Sequence, residues 1–275
     1  MTNLSILILT RDEEANLPQA LASVTGWASA VFVLDSGSTD RTMEIAKVQG
    51  AKVFTHAFEN YASQRNYALK ELPIETEWVM FLDADEWLPE DLKSEITAVV
   101  ASRPRENGFF VAYKLMWMGK WIRRGYYPTW LMRLFRNATA VCGERGVNEH
   151  VQVEGETGYL KHPFIHEDRK GISSWIEKHD RYADLEAKLL LERGRGGAGR
   201  LAGSQAQRKQ WIRANVWYRL PPLVRPFLYF FYRYVLRGGF LDGRAGLSFH
   251  FLQALWYQML IDIKYLEMKK VRSQE

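Results

Sequence analysis

Hydrophobic residues in the first hundred positions form short continuous runs separated by longer amphipathic stretches. The continuous runs, each followed by polar residues, span 4–10, 30–36, 51–56 and 78–84. The stretches with helical spacing span 16–24, 39–49 and 61–72. Continuous Leu, Ile and Val runs are typical of strands that are covered on both faces. The alternation therefore predicts an α/β fold, with a mostly parallel sheet flanked by helices.

The pattern becomes less regular after Pro89. A helix is predicted over 90–102 and a strand over 108–115, followed by irregular, strand-like sequence up to about His166. A charged amphipathic helix is predicted over 172–193.

Glycine-rich sequence after this helix indicates a domain boundary. The run GRGGAGRLAGS, at 194–204, predicts a flexible linker. We therefore predict a first domain over 1–193 and a helical C-terminal segment over 205–275.

The C-terminal segment has the pattern of a helix that lies on a membrane. Arg225, Arg233 and Arg237 recur at multiples of four, and Phe227 and Phe231 lie between them. An arginine face opposite an aromatic face is typical of interfacial helices. The uncharged stretch 245–261 contains Ser, His and Gln side chains, which favours interfacial burial over crossing the bilayer. Packing on the rest of the chain, or a homo-oligomer formed through these helices, is the alternative.

Charge and cysteine content narrow the class of protein. The net charge is +5, and residues 205–275 contain twelve Lys and Arg against four Asp and Glu. Because the basicity belongs to this segment, we expect an anionic membrane surface as partner and no nucleic acid. A lone cysteine, Cys142, excludes an intrachain disulfide framework and a Cys-rich zinc site. With no basic stretch at the start, we predict a cytoplasmic protein, peripheral on the inner face of the cell membrane.

Acidic residues follow three of the predicted strands. Glu13 follows the first strand, Asp35 ends the second, and Asp83 and Asp85 end the fourth. Ligands of open α/β sheets bind at the carboxyl ends of the strands. Carboxylates two residues apart at a strand end can face one hard cation, Mg²⁺ or Mn²⁺, which in turn holds a diphosphate. A solvated turn with Asp at a helix N-terminus is the alternative.

Four motifs carry a family resemblance. ILTRDEEANL, VLDSGSTDRT, QRNYAL and FLDADE occur at 8–17, 33–42, 64–69 and 81–86. In this order and spacing they resemble family 2 glycosyltransferases with the GT-A fold, over roughly residues 3–170. GVNEHV at 146–151, together with His166, resembles the bacterial branch that includes lipopolysaccharide-core glucosyltransferases.

The resemblance implies an inverting, metal-dependent transfer of a hexose from a nucleotide-sugar, most simply a UDP-sugar. The implied acceptor is a lipid-linked or lipopolysaccharide-core glycan. A polyprenyl-phosphate-linked intermediate and a soluble polysaccharide remain alternative acceptors.

It also implies roles for individual residues on the donor side. Thr10, Arg11 and Glu13 match the motif that lines the nucleoside, Asp35 matches the residue that reads the uracil edge, and Arg65 matches a basic position near base and diphosphate. Asp40 either contacts the ligand or starts a helix.

The metal and the reacting groups are assigned in the same way. Asp83 and Asp85 match the DxD metal motif, Ala84 lies between them at the donor, and His166 resembles a third metal ligand. Glu149 resembles the catalytic base, for which Glu144, Glu167 and Asp168 compete. Arg133 and Arg136 alternate as if on one strand face and are candidates to neutralise the leaving phosphate.

Three other classes of protein remain as rivals. A nucleotidyltransferase needs a glycine-rich phosphate loop after the first strand, where this chain has TRDEEAN. A phosphatase with an aspartyl nucleophile needs its DxD on the first strand. A non-catalytic glycan- or lipid-binding scaffold needs neither a DxD motif nor a base.

Overall fold

The computed structural model describes residues 2–143, 151–192, 211 and 215–272. Two compact units account for the chain: unit 1 comprises Met1–Trp121 and Tyr127–Gly171, and unit 2 comprises Ile122–Tyr126 and Ile172–Glu275. The proposed linker 194–204 lies outside the described residues, so its role stays a prediction.

Unit 1 contains the predicted α/β alternation. Its first elements are β1 (Thr2–Thr10), α1 (Leu17–Val24), β2 (Ala28–Asp35), α2 (Thr42–Val48), β3 (Lys52–Thr55), α3 (Tyr61–Glu71), β4 (Trp78–Asp83), β5 (Glu86–Trp87) and α4 (Glu90–Ala101). They are followed by β6 (Gly108–Trp117), β7 (Lys120–Trp121), β8 (Trp130–Arg136), β9 (Ala140–Cys142), β10 (Val151–Val153), β11 (Thr157–Tyr159) and β12 (Phe164–His166). The four predicted strands, the four helices between and after them, and the strand at 108–115 are confirmed, with shifts at their ends.

The large sheet has the order β3-β2-β1-β4-β8-β6-β12-β5. β3, β2, β1 and β4 are parallel, whereas β8 runs antiparallel to both β4 and β6. β12 pairs parallel with β6 and antiparallel with β5, and β9 and β10 form a separate two-stranded sheet. The fold is therefore the predicted α/β class, and its second half brings β12 and β5 side by side.

The register of the parallel strands aligns their polar ends. Thr10 of β1 lies opposite Asp35 of β2, and Leu9 lies opposite Asp83 of β4. The strands before these ends are buried on both faces; Ile6 and Leu7, which point to opposite faces of β1, are 0% and 1% exposed. Burial of these apolar runs fixes the strands, and the same registration collects the polar ends at one edge of the sheet.

Unit 2 is helical in the part that the structure describes. Its elements are α5 (Gly171–Glu192, whose first residue belongs to unit 1), α6 (Arg225–Phe230), a π-helical continuation (Phe231–Leu236), a 3₁₀ turn (Gly239–Asp242), α7 (Gly243–His250), a π-helical stretch (Phe251–Trp256) and α8 (Tyr257–Arg272). The predicted helix at 172–193 is confirmed as α5. No helix among the described residues is long and apolar enough to cross a membrane.

All of α5 except its first residue belongs to unit 2, whereas the predicted first domain extends to residue 193. Ala183 packs with Tyr257 and Ile261 of α8. Lys264 of α8 pairs with Asp180, at 2.7 Å. The prediction had assigned this helix to the first domain because no composition change precedes Arg193, but its apolar face packs inside unit 2.

Two of the arginines assigned to a membrane face are buried, which corrects that prediction. Arg225 and Arg233 are 4% and 3% exposed, whereas Arg237 is exposed. Arg225 donates hydrogen bonds to Asp262 of α8, and Arg233 donates to the Gly125 carbonyl at 2.9 Å. The spacing within one helix could not show these partners, because they lie 37 and 108 positions away in sequence.

Candidate functional site

Asp35 anchors the loop that follows β2. One of its carboxylate oxygens accepts hydrogen bonds from the backbone N–H groups of Gly37, at 2.9 Å, and Ser38, at 2.8 Å. The other accepts from the hydroxyls of Thr10, at 2.9 Å, and Ser38, at 2.5 Å. Asp35 is 0% exposed, so its carboxylate organises the loop. The sequence did not show this role, and the predicted contact with the uracil edge stays a prediction.

The loops after β1 and β2 bind each other directly. Asp12 accepts a hydrogen bond from the Thr39 N–H at 2.7 Å, and the Glu14 N–H donates to Asp40 at 3.0 Å. Asp40 also accepts from the Thr42 N–H at 2.9 Å, at the first residue of α2. This contact fits the helix-start alternative for Asp40.

Glu13 lies in a network beside the sheet edge. Lys170 donates to one of its carboxylate oxygens at 2.5 Å, and the Asn16 side chain donates to the other at 2.8 Å. Asn16 also donates to Asp168 at 3.1 Å. Burial raises the pKa of Glu13 although Lys170 and Asn16 favour its ionised form. Lys170 is a site residue that the sequence did not reveal, because it is 157 positions from its partner.

Asp83, at the end of β4, lies between two arginines. Arg133 Nη2 donates to one of its oxygens at 2.7 Å, and Arg65 Nη2 donates to the other at 3.3 Å. Burial alone would raise the pKa of Asp83, but the two guanidinium groups hold it well below its ordinary value. Asp83 is thus bound by cationic side chains, and its predicted contact with a metal stays a prediction.

Glu86 is buried on the same side of the sheet. Arg133 Nη2 donates to one of its oxygens at 2.5 Å, and the Asp83 N–H donates to the other at 2.9 Å. Burial raises the pKa of Glu86, Arg133 opposes that shift, and the Asp83 carboxylate adds to it. Glu86 adjoins the DxD motif, but the motif itself assigns it no role.

The structure brings together one group of potential metal ligands among the residues it describes. Ligand atoms of Asp85, Glu86 and His166 all lie within 4.8 Å of one another. His166 Nδ1 is 3.7 Å from an Asp85 oxygen and 3.6 Å from a Glu86 oxygen. The antiparallel β12–β5 pair sets this geometry, since it places His166 opposite Glu86.

A hard divalent cation fits these donors. Carboxylate oxygens and imidazole nitrogen suit Mn²⁺, and Mg²⁺ is bound through one or two carboxylates and substrate phosphates. Both Glu86 oxygens already accept hydrogen bonds, so Asp85 and His166 fit the cation better than Glu86 does. The pairing of Asp85 with His166 agrees with the predicted ligand set, whereas Asp83 faces the arginines.

Arg136 lies at the opposite end of β4 from Asp83. In the β4–β8 pair it is opposite Trp78, five positions before Asp83 and roughly 17 Å away along the strand. Its guanidinium lies 4.7 Å from the centre of the Trp78 ring and pairs with Glu77. Arg133 is an extra residue in the β6–β8 pairing, where Phe109 lies opposite Leu134 and Phe110 opposite Met132. The predicted role of Arg136 beside the leaving phosphate stays a prediction.

The remaining predicted residues fall into three groups. Arg11 is exposed in the loop after β1, and Ala84 is buried. Glu149 and its competitor Glu144 lie outside the described residues. Of the other two competitors, Glu167 accepts hydrogen bonds from Arg169 at 3.2 Å, and Asp168 accepts from the Lys170 N–H at 3.0 Å.

Residues 5–160 match the model of glycosyl transferase family 2. The chain is 29% identical over 209 residues to an uncharacterized glycosyltransferase of Rickettsia typhi, covering 71% of this chain and 70% of that protein. It is 32% identical over 112 residues to the 4,4'-diaponeurosporenoate glycosyltransferase of Staphylococcus haemolyticus, covering 38% of this chain and 29% of that protein. The mannosyltransferase PcManGT of Pyrobaculum calidifontis, solved with GDP-Man and Mn²⁺, superposes with a TM-score of 0.52 at 12% identity, covering 96% of this chain and 87% of that chain.

The α/β sheet with its flanking helices is GT-A-like, and it carries carboxylates and a histidine at the carboxyl ends of its strands. The chain belongs to glycosyl transferase family 2, and it is a glycosyltransferase.

Proposed function

We propose that this chain is an inverting, metal-dependent hexosyltransferase that uses a UDP-sugar and glycosylates a lipid-linked or lipopolysaccharide-core glycan. The observation that carries the proposal is the group formed by Asp85, Glu86 and His166 at the end of β4, beside the arginine-bound Asp83. Family membership supplies the reaction class. The UDP-sugar and the acceptor rest on the resemblance of the motifs.

Asp85 and His166 would hold Mn²⁺ or Mg²⁺. When bound, such a cation neutralises the negative charge that develops on a leaving diphosphate. Glu86 supports this pair from β5, and its hydrogen bonds to Arg133 and the Asp83 N–H hold the strand end in place.

Arg65 is the residue best suited to contact the diphosphate. It donates to Asp83 at 3.3 Å, and its buried Nε has no hydrogen-bond partner among the described residues. A buried unpaired donor is unfavourable, so an incoming phosphate oxygen would satisfy it. Arg133, with a side chain that is 6% exposed, instead positions Asp83 and Glu86.

On the acceptor side, Glu149 stays the proposed base. Inversion requires a carboxylate that accepts the proton of the attacking hydroxyl while the nucleoside diphosphate leaves from the opposite face of the anomeric carbon. Thr10, Arg11 and Glu13 would line the nucleoside. Lys170 orients Glu13 through a direct ion pair.

The test is donor hydrolysis with the purified full chain, with and without Mn²⁺. UDP-glucose and UDP-galactose are compared because they differ only in the sugar, and GDP-mannose is included as a donor with another nucleotide. We expect hydrolysis of a UDP-sugar that requires Mn²⁺ and is lost in Asp85→Asn but kept in Glu90→Gln, an exposed control on α4. Preference for GDP-mannose would overturn the proposed nucleotide. Binding without turnover of any donor would instead favour the scaffold alternative.

A further inference from the structure

The helix formed by α6 and its π-helical continuation, 225–236, has its apolar side outward. Large apolar side chains recur in adjacent pairs about once per turn, and each is between 41% and 66% exposed: Phe227, Leu228, Phe231, Tyr232, Val235 and Leu236. Arg225 and Arg233, on the same helix, are buried and point inward instead. A surface helix of a water-soluble protein normally has the opposite arrangement.

The inward arginines stabilise this arrangement. Arg225 donates a 2.9 Å hydrogen bond to the buried Asp262 of α8. Arg233 donates to the Gly125 carbonyl, and its guanidinium carbon lies 4.7 Å from the Tyr126 ring centre. Because the buried cations have partners within unit 2, the outward direction of the phenylalanines is built into the packing.

The apolar surface continues beyond this helix. The 3₁₀ turn that follows exposes Phe240 and Leu241, at 49% and 62%. The next helix packs back on α6 through the stretch Phe251–Trp256, and it exposes Leu247 and Phe251, one turn apart. We call these four residues and the six on 225–236 the apolar hairpin surface. Exposed apolar clusters of this extent mark sites of association.

Charges beside this surface have one dominant sign. Asp242 is the only acidic residue from 215 to 261. Its carboxylate accepts a hydrogen bond from the Arg124 N–H at 2.8 Å. Arg237 and Arg244, on either side of the 3₁₀ turn, are exposed. An excess of positive charge around an apolar surface repels a second copy of itself but complements an anionic lipid surface.

We propose that the apolar hairpin surface inserts into the headgroup layer of a bilayer that contains anionic phospholipids. The aromatic and aliphatic side chains enter the boundary between headgroups and acyl chains, and Arg237 and Arg244 contact lipid phosphates. This inference goes beyond the proposed function, since it involves neither the donor site nor the identity of the acceptor. It also replaces the predicted arginine face, because two of those three arginines are buried.

The experiment is co-sedimentation of the full chain with vesicles of phosphatidylcholine alone, or of phosphatidylcholine mixed with phosphatidylglycerol. We expect binding to the anionic vesicles, weakened by salt, and weak binding to the neutral ones. The double variant Phe227→Ser/Phe231→Ser should lose most of this binding. Arg237→Gln should weaken it by about fivefold, which corresponds to the attraction of one basic residue by an anionic leaflet.

Matched controls distinguish binding through this surface from nonspecific binding of exposed apolar side chains to vesicles. Val48→Ser and Met118→Ser each remove an apolar side chain that is 79% exposed in unit 1, and both variants should bind like the parent chain. Equal binding by the parent and the double variant would overturn the proposal. Light scattering supplies the other contradicting result: a dimer that the double variant dissociates would assign the surface to a second copy. Circular dichroism confirms that each variant keeps its helical content.

Discussion

Arg133 Nη2 lies 2.7 Å from Asp83 Oδ2, and this contact closes the carboxyl end of β4. The same nitrogen is 2.5 Å from a Glu86 oxygen, so one guanidinium holds the partly exposed Asp83 carboxylate and the buried Glu86 carboxylate together. Carboxylates this close repel each other unless a cation lies between them. The positive charge beside Asp83 is therefore provided by the protein itself.

Replacing Arg133 should destabilise unit 1 severely. In Arg133→Met, Asp83 and Glu86 lose their shared partner, and removing one member of a buried ion pair destabilises a protein by about 3–5 kcal/mol. Urea denaturation measures the change in the free energy of unfolding. Arg136→Met, at the other end of the strand and paired with the half-exposed Glu77, is the control and should change it by at most about 1 kcal/mol. Equal effects of the two variants would contradict the assigned role of Arg133.

Substitutions of the two aspartates of the DxD motif should affect different properties: Mn²⁺ binding for Asp85 and stability for Asp83. Asp85→Asn is expected to weaken Mn²⁺ binding by more than about 10-fold, since a ligand should matter at least as much as its supporting partners. Its unfolding free energy should stay close to that of the parent. Asp83→Asn should do the reverse, lowering stability because Arg133 and Arg65 lose a charged partner. Titration of Mn²⁺ by calorimetry, paired with urea denaturation, gives both numbers, and identical profiles for the two variants would refute the separation.

Much of this site could be predicted, because local sequence determines the strands and their ends. The runs before Asp35 and Asp83 are apolar and continuous, and parallel pairing then brings the two residues to one edge of the sheet. The binding partners were not predictable in the same way. Lys170 reaches Glu13, and Arg133 reaches Asp83, only after the second half of the sheet has formed.

The errors have a physical cause as well. The membrane-facing prediction for Arg225 and Arg233 is the clearest error, because both side chains are buried. For Arg225, helical periodicity correctly indicated a helix with two faces but not which face is buried. That choice depends on Asp262, which offers a buried carboxylate from another helix.

His250 should make unit 2 sensitive to acid. It is 0% exposed, its Nε2 donates to the Arg124 carbonyl at 3.1 Å, and burial together with the nearby Arg233 lowers its pKa from 6.5 to about 4. Below pH 6.5 the unfolded chain takes up a proton that the folded chain refuses. The folded state therefore loses stability as the pH falls from 6.5 towards 4, by up to about 3 kcal/mol.

His250→Gln tests this prediction, because the amide can donate to the Arg124 carbonyl but does not titrate. The free energy of unfolding is measured for both proteins at several pH values between 7 and 4. The parent should lose more stability than the variant over this range, and the difference should grow as the pH falls. Parallel curves would show that His250 is not the group responsible.

The buried pair between Arg225 and Asp262 provides the last prediction. Arg225 Nε donates to both Asp262 oxygens, at 2.9 and 3.1 Å, and the two side chains are 5% and 1% exposed. Asp262→Leu leaves a buried guanidinium without its carboxylate and should lower the free energy of unfolding by about 3–5 kcal/mol. Arg225→Met should have an effect of similar size.

The double variant Arg225→Met/Asp262→Leu should recover most of that loss, since two apolar side chains of similar volume replace both buried charges. The coupling free energy between the two positions, obtained from urea denaturation of the parent, both single variants and the double variant, should then be of the order of a few kcal/mol. Additive single effects would mean that the pair does not act as a unit. Vesicle binding by the double variant gives a second readout: retained binding would show that the outward direction of Phe227 depends on helix packing and not on the charge of Arg225.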